Sequence, residues 1–363
     1  MMSNNVGVSE QQFLELVLKA ISETADKQLR IMEVCGTHTM AIARSGMKQV
    51  LPNTITLLSG PGCPVCVTDV SDIDDACILA GRSDVILASY GDMLRVPGTS
   101  GSLTTARISG ADIRVIYSSF DALRLAIDNP QREVILYGVG FETTAPTSAV
   151  AIEAAIRADI GNFSVLSVHK AVPPILRFLL SDRDLSIDAF LLPGHVCTIA
   201  GTCDFDFIAE EYLRPCVVAG FEPVDILEAI LMVIKQYQEN MPTVEVQYRR
   251  AVKARGNTVG RQYITRYFNL ADCVWRGIGL VPASGFKIRD EYSKWDARAK
   301  FNVSPPRVVA AGCVCGDILK GKKQPPECEY YGVNCTPANP QGPCMVSEEG
   351  SCAAFYRYSC LGG

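Results

Sequence analysis

The sequence lacks any apolar run that reaches the roughly 20 residues a bilayer span requires, which excludes a helical membrane protein. Its start has no charged stretch followed by an apolar segment, which argues against a secretory signal. A basic excess is also missing. The 34 Lys and Arg against 39 Asp and Glu leave a net charge of −5, the wrong sign for a chain that mainly binds nucleic acid. There is no internal repeat of short fixed period and no low-complexity tract. Together these absences point to a globular protein of the cytoplasm. At 363 residues, 48% hydrophobic and 20% charged, the chain can form two or three domains with sizeable cores.

Cysteine is what the sequence has in abundance, with fifteen in all. In a reducing compartment so many thiols suggest metal or redox chemistry more than structural disulfides. Cys35, Cys63, Cys66 and Cys77 lie early. Cys197, Cys203 and Cys216 lie mid-chain, Cys273 stands alone, and Cys313, Cys315, Cys328, Cys335, Cys344, Cys352 and Cys360 crowd the end. Two separate chemical centres are the natural reading.

The stretch SEQQFLELVLKAISETA reads as an amphipathic helix, with Ser9 and Gln12 in a capping-box pattern. Eight short apolar runs then read as buried strands: RIMEV (30–34), TITLLS (54–59), DVILAS (84–89), DIRVIY (112–117), EVILYG (133–138), FSVLSV (163–168), DAFLLP (188–193) and CVVAGF (216–221). Helical patterns separate them, and residues 223–240 form a further helix. Such alternation predicts an α/β protein with mostly parallel sheets and right-handed crossovers. The expected layout is two Rossmann-like parallel-sheet domains, residues 1–142 and 143–240. A small cysteine-rich, mainly helical or irregular domain follows over 241–363. That last part is rich in Pro and Gly and needs a metal or disulfide staple to fold.

CGTH (35–38) follows the first strand and GPGCPVC (60–66) the second. Both loops therefore sit at the carboxyl ends of strands, where α/β sheets place their functional groups. Neighbouring strand ends would bring Cys35 within a few ångströms of Cys63 and Cys66. Each loop feeds a helix, whose N-terminus stabilises a thiolate. A C-x-x-C pair alone is compatible with a redox switch, half a zinc site or soft ligands for iron. The third thiol, Cys35, is not needed by a switch and suits a metal site with an open position. Histidine is scarce: His38, His169 and His195 are the only three, and each ends or follows a strand. His38, beside Cys35, is a candidate site residue.

In the tail, Cys328, Cys335, Cys344 and Cys352 have spacings that fit neither a zinc ribbon nor a bacterial ferredoxin. Structural zinc and an iron–sulfur cluster both remain open on spacing. Cys313 and Cys315 form a separate C-x-C pair. Glu142, Thr143 and Thr144 follow the fifth strand, where helix capping competes with a role in lining a cleft. The loop 98–107 lacks the lysine of a phosphate-binding loop and reads as an ordinary loop.

CGTHT, GPGCPVC, GFETTAP, PGHVC and CTPANPQGPCMVSEEGSCAAFYRY, in this order over nearly the whole chain, resemble the HypD family of [NiFe]-hydrogenase maturation proteins. The resemblance implies two α/β domains and a third carrying a [4Fe-4S] cluster. It implies a scaffold for the Fe(CN)2CO unit of the hydrogenase, working with the small chaperone HypC and the cyanide donor HypE. Cys35 would be the iron-holding thiolate, Cys63 and Cys66 the nearby ligand or redox pair, and His38 a site partner. The cluster would be held by Cys328, Cys335, Cys344 and Cys352, with Cys313 or Cys315 as the next choice. Cys77, Cys203, Cys216, Cys273 and Cys360 would be core or incidental thiols. Two other classes compete: an iron–sulfur-dependent thiol–disulfide oxidoreductase acting on protein partners, and a zinc-stapled interaction protein.

Overall fold

The eight apolar runs form strands, each within a few residues of its expected place. They are β1 (Leu29–Glu33), β2 (Ile55–Ser59), β3 (Val85–Ser89), β4 (Ile113–Val115), β5 (Glu133–Gly138), β6 (Phe163–Ser167), β7 (Ala189–Pro193) and β8 (Cys216–Ala219). The structure is a computed structural model in which residues 10–303 and 312–358 are described. Every residue of β3, β7 and β8 is buried, as expected for parallel strands covered by helices on both faces. Ser9 and Cys360 lie outside the described residues. The expected N-terminal helix is Glu10–Thr24, and the one after β8 is Pro223–Glu239.

Strand pairing departs from the expected division. One sheet runs β2-β1-β7-β8 and adds a short strand, β9 (Val244–Val246), at its edge. The other runs β4-β3-β5-β6. All pairings in both are parallel. The chain therefore builds half of the first sheet, leaves to build the whole of the second, and returns to finish the first. A boundary at 142 cuts the second sheet between β5 and β6. A boundary at 240 separates β9 from β8. The physical reason is that apolar periodicity identifies a strand but not its neighbour. The open edge of β1 is filled by β7, far along the chain.

Two further strands, β10 (Phe268–Trp275) and β11 (Gly279–Ile288), form an antiparallel hairpin with an irregularity between Ala271 and Cys273. This hairpin reaches both units. Trp275 bridges to Thr68, and Gly285 bridges to Lys170. The cysteine-rich end is built from short helices, Cys315–Leu319, Pro343–Val346 and Ser351–Tyr358, joined by turns. The loop at 98–107 runs into a short helix, Leu103–Ile108, whose N-cap Ser102 accepts from Thr105 N–H in a capping box. No helix among the described residues is long and apolar enough to cross a membrane.

Candidate functional site

The first sheet has the strand order of a flavodoxin-like sheet, reversing direction between β1 and β7. Ligands of open α/β sheets bind beyond the carboxyl ends of the strands at such a reversal. Cys35 follows β1 there, and Gly194 and His195 follow β7. Cys35 is the N-cap of the helix Gly36–Arg44, and Cys63 is the N-cap of the short helix Pro64–Val67. The two loops are pressed together through the backbone. Gly36 N–H donates to Gly62 O at 3.1 Å, and Gly60 N–H to Glu33 O at 2.8 Å. A Cβ on Gly62 would lie 2.1 Å from Cys35 N, so only glycine permits this approach.

The C-x-x-C pair is tight. Cys66 Sγ lies 2.7 Å from Cys63 Sγ, and Cys66 N–H donates to Cys63 Sγ at 3.3 Å. Both sulfurs are free thiols and buried. Burial pushes the Cys66 thiol well above its ordinary range, and an interaction with Cys344 opposes that rise. Cys344 in turn interacts with Cys315, and Cys315 with Cys313. A row of sulfurs thus runs from the GPGCPVC loop into the cysteine-rich end. The helices Pro64–Val67 and Pro343–Val346 meet there, with Cys66 Sγ 4.0 Å from Pro343 O.

Six thiols, Cys313, Cys315, Cys328, Cys335, Cys344 and Cys352, line one small enclosed cavity together with Ile318, Tyr330 and Tyr331. The expected four are all present, and so are both members of the C-x-C pair. Among the described residues no three or more His, Cys, Asp or Glu groups gather around a single metal ion. The sulfurs instead ring a space. Gly342 keeps that space open, since a Cβ there would meet Cys313 Sγ at 2.5 Å. Burial and mutual proximity raise the Cys344 and Cys352 thiols, so a cationic group within the ring would offset a real cost. In its chemistry this donor set is of the kind that ligates a metal cluster.

The Cys35 thiol has different neighbours. Burial pushes it up to about 12, the carboxylates of Glu33 and Glu349 add to this, and the backbone N–H groups of His38 and Thr37 oppose it. Glu33 Oε2 accepts from Cys35 N–H at 3.1 Å, and Glu349 Oε1 accepts from the Thr37 hydroxyl at 2.8 Å. Burial holds the Glu33 carboxyl up at about 8. His38 is fully buried, with Nε2 2.9 Å from Gly220 O. A carbonyl only accepts, so Nε2 carries the proton and Nδ1 is left as a bare acceptor. Nδ1 has no partner among the described residues. Burial lowers the His38 pKa to about 4, so the ring is neutral. His195 is exposed at the same mouth, its ring stacked 3.8 Å from that of Phe221.

Sequence reasoning missed Glu33 and Glu349. Glu33 sits in an ordinary strand, and Glu349 is an acidic residue in a Gly-rich turn. Only the fold reveals Glu349, through Gly36, whose added Cβ would lie 2.6 Å from Glu349 Cβ. Thr144 is the N-cap of the helix Ala145–Arg157, as capping would require, but its hydroxyl donates back to Val139 O at 3.1 Å. Glu142 is buried, with Oε1 accepting from Val172 N–H at 2.8 Å.

Residues 12–359 match the HypD family model, described as "Hydrogenase formation hypA family". The chain is 47% identical over 351 residues to hydrogenase maturation factor HypD2 of Bradyrhizobium diazoefficiens, covering 94% of this chain and 92% of that protein. It is 44% identical over 353 residues to hydrogenase maturation factor HypD of Rhizobium leguminosarum bv. viciae, covering 94% and 92%. It is 44% identical over 340 residues to hydrogenase maturation factor HypD of Escherichia coli, covering 93% and 91%. Matched by the family model over nearly its whole length and by these relatives over more than nine-tenths of theirs, this chain belongs to the HypD family of hydrogenase maturation factors.

Proposed function

We propose that the chain is the scaffold on which the Fe(CN)2CO unit of a [NiFe]-hydrogenase is assembled, in complex with HypC and supplied with cyanide by HypE. The observation that carries this reading is the unbroken row of thiols from Cys63 and Cys66 through Cys344 to Cys315 and Cys313. It joins the buried C-x-x-C pair to a small cavity lined by soft ligands. Iron is the cargo at the loop site. Cys35 holds it as a thiolate, with the C-x-x-C loop pressed against its backbone at Gly62, and Nδ1 of His38 is a free acceptor in the same helix turn. Soft thiolates suit low-spin iron carrying cyanide and carbon monoxide.

A [4Fe-4S] cluster, held by Cys328, Cys335, Cys344 and Cys352 or with Cys313 or Cys315 in place of one of them, would supply electrons one at a time. The other steps belong to the chain. Cyanide arrives as a thiocyanate, and its S–C bond must break with two electrons and a proton. As a dithiol, Cys63 and Cys66 give up two electrons and two protons and close to a disulfide. The carrier leaves as a thiol, and cyanide passes to the iron.

The test is Mössbauer and infrared spectroscopy on oxygen-free protein purified with its small partner. The expected result is a [4Fe-4S] signal with low-spin iron and CN and CO bands that vanish in Cys35→Ala. Cyanide loading left intact by Cys63→Ser would sink the relay role. A cluster with no CN or CO band would favour the oxidoreductase reading, to which the 2.7 Å Cys63–Cys66 approach also lends itself.

A further inference from the structure

Lys170 is the most deeply buried lysine or arginine among the described residues, 1% exposed just beyond the end of β6. A lysine in that position needs several partners. Its Nζ donates to Val274 O at 2.9 Å, lies 3.7 Å from Asp72 Oδ2, and sits 5.6 Å from the centre of the Trp275 ring. Its remaining partner is Cys273 Sγ, also at 2.9 Å. This is the short end of a nitrogen–sulfur contact. The arrangement is built into the backbone. Lys170 bridges to Gly285, which pairs with Ala271 across the hairpin and packs against the Cys273 side chain with no room for one of its own. A Cβ there would meet Cys273 Cβ at 2.7 Å.

The pair is reachable from outside. Cys273 is partly exposed and lines an open cavity with Asp72, His169 and Arg298. A small oxidant can reach the sulfur, while the amine is fixed against it from the protein side. We propose that Lys170 and Cys273 form a covalent modification site, in which dioxygen joins Lys170 Nζ to Cys273 Sγ through a single bridging oxygen, as an N–O–S link.

The step balances as an amine, a thiol and one dioxygen going to the N–O–S link and one water. The O–O bond breaks, N–O and O–S bonds form, and two of the pair's three acidic hydrogens leave in the water. Nitrogen and sulfur each give up two electrons, and dioxygen takes all four. Two molecules of a dithiol return the four electrons and four protons and restore amine, thiol and a further water.

The link would tie the end of β6 to β10. The same stretch of β10 holds the loop after GPGCPVC, since Trp275 bridges to Thr68 and Arg276 N–H donates to Val67 O at 3.0 Å. The modification therefore bolts the hairpin to the second sheet beside the C-x-x-C loop. This inference does not depend on the assembly role proposed above.

The experiment is a proteolytic peptide map by mass spectrometry. The full chain is purified without oxygen and divided into one portion kept anaerobic, one exposed to air-saturated buffer, and one exposed and then treated with dithiothreitol. The expected result is a cross-linked pair of peptides containing Lys170 and Cys273 only in the exposed sample. Its mass equals the sum of the two peptides plus one oxygen minus two hydrogens, and dithiothreitol removes it. Lys170→Arg keeps the cation and abolishes the cross-link. If exposed wild-type protein carries Cys273 unmodified, or oxidised with Lys170 free, the proposal is overturned, and that reading needs no variant to fold.

Discussion

At the scale of single residues, the site rests on groups held away from their ordinary protonation. Burial raises Glu142 from 4.5 to about 7. Its unfolded carboxyl ionises near the ordinary value, so the folded state binds more protons between these limits. The stability it contributes is complete at low pH and is lost as pH rises towards about 7. Glu142→Gln removes this loss, by an amount on the order of 3 kcal/mol above neutrality. Urea titrations from about pH 5 to pH 8 will show a shallower fall in stability for the variant than for the wild type. Gly62 matters through space and not through charge. Gly62→Ala places a Cβ against Cys35 N and forces the two loops apart, at a cost of about 1–3 kcal/mol by overpacking. The unfolding midpoint measures that cost. Equal stability would mean that the loops are not locked together. The loops that carry Cys35, His38, Cys63 and Cys66 were legible in the sequence because they follow apolar runs that read as strands. Glu33 and Glu349 were not, because a carboxylate gains its role here only from burial and from a neighbour distant in the chain.

At the scale of elements, the eight strands were readable because strands buried on both faces are nearly continuous apolar runs. β9 was not, being three half-buried residues at a sheet edge. β10 and β11 were hidden for another reason: their exposed and buried residues do not alternate cleanly, and the ladder shifts between Ala271 and Cys273. Yet the hairpin is central to the architecture. Trp275 is fully buried, its Nε1–H donates to Ser284 Oγ at 2.8 Å, and its ring stacks on Phe141 with centroids 6.0 Å apart. Trp275→Ala will cost about 3–5 kcal/mol, as for other large-to-small changes in cores. It will also lower the protection of Val67 and Thr68 amides in hydrogen exchange. Unchanged protection there would show that the hairpin does not hold the C-x-x-C loop.

At the scale of the whole molecule, the expected order of domains failed because sheet membership is a property of pairing. Local propensity does not contain it. β1 and β2 need β7 and β8 to cover the apolar cluster that includes Ile31, Leu57, Ala189 and Val217. A fragment ending at residue 142 will therefore show no cooperative unfolding by circular dichroism. Its β1 edge would be open, and the second sheet would lack β6. A cooperative transition in that fragment would refute the pairing. The interrupted path also bears on the order of synthesis. Cys35 and the GPGCPVC loop are translated before most of the fold, but the reversal that forms their crevice closes only when β7 has been made. The second sheet completes while they wait. The loops that carry Cys35, Cys63 and Cys66 are thus made before the crevice around them exists, and the helix that opens at Gly36 gains its cover only after the cysteine-rich segment bearing Glu349 has been made.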